Sequence, residues 1–245
     1  MRILKSLACL LGLLFAAGLA QANDQAASKA LIDKAIKAAG GEVKLAKFQA
    51  MVWKGKGKYH PDNVAFTGTW SYQAPNRMHS EIQFEGVDQK IITVLDGDKG
   101  WNKTDQTEAL EGDALDEERE NLYANWLTLL VPLKDKNFQL SLLGESKVGD
   151  RAVIGLKVVH RDHRDVKLFF DKANYLLLKE EMRVKDIEND KEVNEEMFYS
   201  GYKEVEGTQQ AMKIEIKWDG KPKWDMEITE IKLLEKLDDS VFAKP

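Results

Sequence analysis

The segment His160-Arg161-Asp162-His163-Arg164-Asp165 gathers imidazole, guanidinium and carboxylate groups in one short run, and it is the cluster with the most chemical promise in the chain. Two histidines three apart beside carboxylates could begin a metal site or a hydrolytic centre. A metal needs a third ligand from another segment, and the run falls between two strands with no such ligand identifiable. A kinase-type catalytic loop would need a Gly-rich loop, a strand lysine and a metal-binding aspartate motif, and all three are missing. A charged hairpin turn is therefore expected. Asp96-Gly97-Asp98 begins like a calcium loop but lacks the closing glutamate, so it too reads as a turn. Glu180-Glu181 and Glu195-Glu196 sit on strands, where adjacent side chains point to opposite faces and cannot share a proton or a substrate. With no nucleophile elbow, phosphate loop or zinc spacing either, no enzyme activity, cofactor or metal site is expected.

The remaining chemistry belongs to the aromatic residues and the strands that align them. Met51, Trp53, Gly55, Gly57 and Tyr59 alternate with Val52, Lys54, Lys56 and Lys58. Val64, Phe66, Gly68, Trp70 and Tyr72 alternate in the same way with Ala65, Thr67, Thr69 and Ser71. A period of two places one set on each face of a sheet, one aromatic and one wet. The aromatic face has to be covered by helices, a second sheet or a guest.

Strands are expected over Gln49–His60, Asn63–Gln73, Arg77–Phe84 and Gln89–Asp96. After a helical interruption they resume around Phe138–Leu143, Ala152–His160, Asp165–Asp171, Tyr175–Val184, Asn194–Glu204, Met212–Trp218 and Trp224–Leu233. That gives about ten or eleven strands in an antiparallel meander. Ser28 to Ala39 is an amphipathic helix closed by Gly40-Gly41. Glu111 to Glu120 is acidic and reads as surface helix or loop. Asn121 to Val131 is apolar nearly all round until Pro132, so it should be buried as a plug in the aromatic concavity.

Arg2 and Lys5, the apolar run Leu7 to Leu19 and Ala20-Gln21-Ala22 together form a secretory signal, with cleavage expected after Ala22. The run is shorter than the ~18 residues of a spanning helix, so no stable membrane insertion is expected. The mature chain, 23–245, then forms one domain in a periplasmic or secreted setting. Cleavage removes Cys9, the only cysteine, so the fold must hold by its core alone. It also leaves 34 basic against 41 acidic residues, a net charge near −7, which argues against nucleic acid as a partner.

Three landmarks resemble the outer-membrane lipoprotein-sorting (Lol-type) carriers: Gly68-Thr69-Trp70-Ser71-Tyr72-Gln73-Ala74-Pro75-Asn76-Arg77-Met78, Leu95-Asp96-Gly97-Asp98-Lys99-Gly100-Trp101, and Asp238-Asp239-Ser240-Val241-Phe242-Ala243-Lys244-Pro245. The resemblance implies an incomplete, unclosed antiparallel β-barrel wrapped around an apolar cavity and lidded by helices, which holds acyl chains between membranes. Carriers of this family hold the lid with an arginine before the first proline. Here that position is Ala74, and the neighbouring Arg77 is expected to face water opposite Met78. The implied function is an exported, non-enzymatic carrier or binding protein for lipids or lipid-modified proteins. Its expected cavity walls are Trp53, Phe66, Trp70, Met78 and Ile82 from the sheet, with Trp126 and Leu130 from the plugging helix. The rival reading is a cell-envelope interaction module whose cavity is filled by its own helix and whose partner is another envelope protein. A third is an enzyme working through His160 and His163.

Overall fold

The computed structural model describes residues 25–245. The expected export signal, 1–22, lies outside them. The chain opens with a helix, α1, over residues 25–39. Leu31, Ile32, Ala35 and Ile36 recur on one face of α1 and are buried. The helix stops at Gly40, whose φ of 128° and close approach to the backbone of Gly207 and Thr208 leave no room for a side chain. A single short turn of helix, α2 (Glu42–Lys47), leads into the sheet.

The first meander runs β1 (Ala50–Tyr59), β2 (Val64–Gln73), β3 (Arg77–Phe84), β4 (Ile91–Asp96), β5 (Lys99–Lys103) and β6 (Thr107–Ala109). After α3 (Gly112–Leu127) comes the second: β7 (Gln139–Val148), β8 (Arg151–Val159), β9 (Val166–Asp171), β10 (Leu177–Asp186) and β11 (Lys191–Ser200). A small separate hairpin, β12 (Lys203–Val205) and β13 (Thr208–Gln210), precedes β14 (Lys213–Trp218) and β15 (Lys221–Leu234). The last two strands join the meanders. The order β6-β5-β4-β3-β2-β1-β15-β14-β11-β10-β9-β8-β7 makes one 13-stranded antiparallel sheet that does not close on itself. The strand expected over Asn194–Glu204 is broken at Gly201, with φ 65°, into β11 and β12. Where Lys54 pairs with Glu230 and Gly55 with Ile228, β15 carries one extra residue, Thr229, the kind of bulge that kinks a strand and curls a sheet.

The two segments expected as an acidic surface helix or loop and as a buried plug are one helix. No Gly or Pro interrupts the run from Asp113 to Leu127, and Glu117 is already buried within the acidic half. The helix ends at Leu127, before Pro132, which begins a 3-10 turn over Val131–Lys134. Between them Leu130 sits at φ 66° and ψ −41°, and the Val131 N–H donates to the Leu129 carbonyl at 2.8 Å, a strained γ-turn.

Helix α3 packs on two cores. Tyr123, Ala124, Leu127 and Leu130 join α1 and the β7–β11 half, with Leu156, Leu168 and Phe170. Leu122 meets Tyr72 and Leu95 of the β1–β6 half, where Ala74 also packs. At the chain end, Asp239–Phe242 forms a 3-10 turn with Phe242 buried. Arg77 does lie opposite Met78, but it does not face open water. Its Nε donates to Asp96 and its Nη1 to Asp239, both at 2.7 Å, and its guanidinium lies 4.4 Å from the Phe242 ring centre. Strand alternation gave the face correctly and could not show that the chain end covers it.

Candidate functional site: an acid-lined aromatic cavity

The concave side of the sheet, α1 and α3 enclose a cavity of about 470 Å³. That is within the ~300–1,000 Å³ usual for small-molecule sites. Its floor is set by the β1–β2 register. Trp53 pairs directly with Trp70, and the indoles stack with ring centres 3.9 Å apart and planes 10° from parallel. The next inward pair is Gly55 with Gly68, and a Cβ at Gly68 would fall inside the Trp70 indole. Glycine here is a steric requirement for two indoles to lie flat along the strands.

Met78, Ile82 and Leu130 complete the set of expected residues that do line the cavity with Trp53 and Trp70. The other two stand elsewhere. Phe66 is buried in an aromatic cluster with Phe84 and Trp224, toward the Tyr59–Val64 end, beside a second and more open concavity. Trp126 packs on Tyr123 and Phe138, wedged between the two cores. Nor does α3 act as an apolar plug. It roofs the cavity with its polar side, presenting Glu118, Asn121, Asn125 and Thr128 to the interior.

Sequence reasoning also missed two inward glutamates. Glu180 shares a face of β10 with Met182 and Val184, and Glu195 shares a face of β11 with Val193, Met197 and Tyr199. Because Glu180 pairs with Met197 and Glu195 with Met182, the two carboxylates are diagonal neighbours on the inner face. Their sequence partners point away, as strand geometry requires. Glu181 and Glu196 are ion-paired to Lys179, and Glu181 also to Lys167. A glutamate at an otherwise apolar register, once on each of two adjacent strands, was the available signal.

Glu180 is 2 % exposed and accepts a hydrogen bond from the Tyr199 hydroxyl at 3.0 Å. Burial pushes its carboxyl up to about 7 from an ordinary 4.5, with a further push from the charge of Glu195. Glu118 is raised to about 6, first by burial and then by Glu117 and Glu195. Glu195 is raised by burial, although it accepts from Trp218 Nε1 at 2.7 Å. Among the described residues no group of His, Cys, Asp and Glu is arranged to hold a metal ion.

The His160–Asp165 run is a turn between β8 and β9, and it latches α3 to the sheet. Arg164 grips Glu117 with both Nη1 and Nη2, while the Arg164 backbone N–H donates to Glu120 at 2.9 Å. His163 bonds Glu120 through Nδ1 at 2.8 Å and stacks on Tyr123 with ring centres 3.7 Å apart. Glu117 also accepts from the Lys185 N–H at 2.8 Å, and Lys185 Nζ reaches Asp113. The roof helix is thus held by guanidinium–carboxylate bonds from the β8–β9 turn, on the opposite core from Ala74.

No protein-family model matches the chain, and no curated protein sequence is similar to it. Solved structures do share its fold. They include a DUF1329 family protein from Desulfovibrio piger (TM-score 0.56, 13% identity, covering 88% of this chain and 97% of that one). A LolA superfamily protein from Nitrosomonas europaea matches with TM-score 0.52 at 13% identity, over 89% of this chain and 97% of that one. A domain from Vibrio parahaemolyticus described as an outer membrane lipoprotein-sorting protein matches with TM-score 0.51 at 11% identity, over 80% and 89%. The fold is therefore the LolA-like open β-barrel, an unclosed antiparallel sheet around helices. No helix among the described residues is long and apolar enough to cross a membrane.

Proposed function

We propose that this chain is an exported, non-enzymatic carrier or binding protein for lipids or lipid-modified proteins, working in the periplasm or outside the cell. The observation that carries the reading is the cavity, walled by the stacked Trp53–Trp70 pair and by methionines and left unfilled by the protein's own helices. An acyl chain left in water loses roughly 0.8 kcal/mol per methylene, so a soluble carrier needs a dry concave wall. The described fold supplies one. The similarity to a lipoprotein-sorting domain and to a LolA superfamily protein supports the same direction.

The experiment is native mass spectrometry of the protein purified from an exporting host, followed by organic extraction. A lipid or acylated peptide at near-stoichiometric level is the expected result. An empty protein that also refuses every apolar or amphiphilic probe would overturn the reading.

A further inference from the structure

The residues lining the cavity include three glutamates and no lysine, arginine or histidine, in a chain that carries 36 Lys and Arg. Isolated carboxylates in an apolar enclosure are costly unless something pairs with them. Among the described residues, no cation forms an ion pair with Glu118, Glu180 or Glu195, whereas the outward Glu181 and Glu196 both have lysine partners.

Unpaired hydrogen-bonding atoms accompany the unpaired charge. Glu180 is 98% removed from solvent, and its Oε2 accepts from Tyr199 while its other oxygen has no partner. The Tyr72 hydroxyl, on a residue 7% exposed, and Asn121 Oδ1 are buried on the cavity lining without partners. Native proteins leave few such atoms unsatisfied, and both of these belong to residues that line the cavity. Trp53 and Trp70 line the same space, and an indole face attracts cations.

We propose that the occupant is a cationic amphiphile, with a protonated amine seated among Glu118, Glu180 and Glu195 and an apolar body against the Trp53–Trp70 floor. An ammonium offers a donor for the unpartnered Glu180 oxygen and a charge for the unpaired carboxylates. A fatty acid or an anionic headgroup would instead meet like charge in a site of low dielectric. The carboxylates are not grouped to hold a metal ion, which favours an organic cation over an inorganic one. This inference rests on the carrier reading and narrows it.

The test titrates the mature protein at neutral pH with dodecylamine, dodecanol and dodecanoate, which share a chain length and differ in head charge. Dodecylamine should bind roughly tenfold or more tightly than dodecanol, the factor expected for one charge-assisted hydrogen bond, and dodecanoate more weakly than both. The pair of substitutions Glu118→Gln and Glu180→Gln should cut the preference for dodecylamine over dodecanol several-fold, with circular dichroism reporting an intact fold. Dodecanoate binding as tightly as the amine, or variants that weaken all three ligands equally, would overturn the inference while the carrier reading stands. Failure of all three to bind would overturn both.

Discussion

Replacing Glu180 by Gln should stabilise the protein at neutral and higher pH, and the size of the effect follows from where the residue sits. The carboxyl is held near 7 in the folded chain against an ordinary 4.5. At ~1.36 kcal/mol per unit, that difference amounts to about 3 kcal/mol of stability. The sign comes from proton binding. Between those two values the folded state holds more protons than the unfolded one, so stability falls as pH rises and levels off above the folded value. The contribution is fully present below about pH 4.5 and absent above about pH 7. Gln keeps the shape and can still accept from Tyr199, but it carries no charge to bury. Urea unfolding from about pH 5 to pH 8 should show wild type losing stability with rising pH, and Glu180→Gln losing about 3 kcal/mol less. A residual slope of the same sign remains, because Glu118 and Glu195 are raised for the same reason. The lowered carboxylates, such as Asp219 and Asp238, titrate below this window. If the two proteins lose stability in parallel, or if the variant is the weaker at pH 8, Glu180 does not carry a buried charge and the acid-lined cavity is wrong.

Further expectations can be checked by ordinary means. Arg164→Ala would leave Glu117, 6% exposed, without its guanidinium partner and should cost about 3 kcal/mol by urea unfolding; a loss under about 0.5 kcal/mol would remove the latch. Gly68→Ala should displace the Trp70 indole, abolish the near-ultraviolet circular dichroism of the stacked pair and weaken amphiphile binding; an unchanged spectrum would contradict the steric role of the glycine. Trp70→Glu should eliminate binding of dodecanol with the fold intact, and retained affinity would place the ligand elsewhere. Asp239→Ala loosens an exposed partner of Arg77 and should change stability by about 1 kcal/mol or less, whereas Phe242→Ala, at a fully buried ring, should cost about 3 kcal/mol or more by the same measurement.

Alternation exposed the sheet because burial on one face imposes a period of two on every strand, and Trp53, Trp70, Met78 and Ile82 fell where that period put them. The period says which face a residue occupies and nothing about its position along the strand. Phe66 therefore shares a face with Trp70 and lies beyond the cavity. Trp126 failed for a different reason. A helix end that is apolar all round does not reveal which side meets which neighbour, and the polar side formed by Glu118, Asn121 and Asn125 spans the acidic and the apolar segment. The cover over Arg77 depends on Phe242, a contact between distant parts of the chain that no local pattern encodes. Glu180 and Glu195 each stand beside a second glutamate in sequence, but the informative comparison is with residues two away on their own strands.

The pairing of β1 with β15 has a kinetic side. The floor of the cavity is built on a strand whose second neighbour lies far along the chain, since Trp53 is opposite Ile231. Pairings so far apart in sequence are slow to form, because the loop must close before any contact offsets its entropy. Until β15 arrives, β1 presents an open row of backbone donors and acceptors beside two large indoles. The ligand chamber consequently waits on a distant pairing, and a chain interrupted before β15 should have no compartment to load.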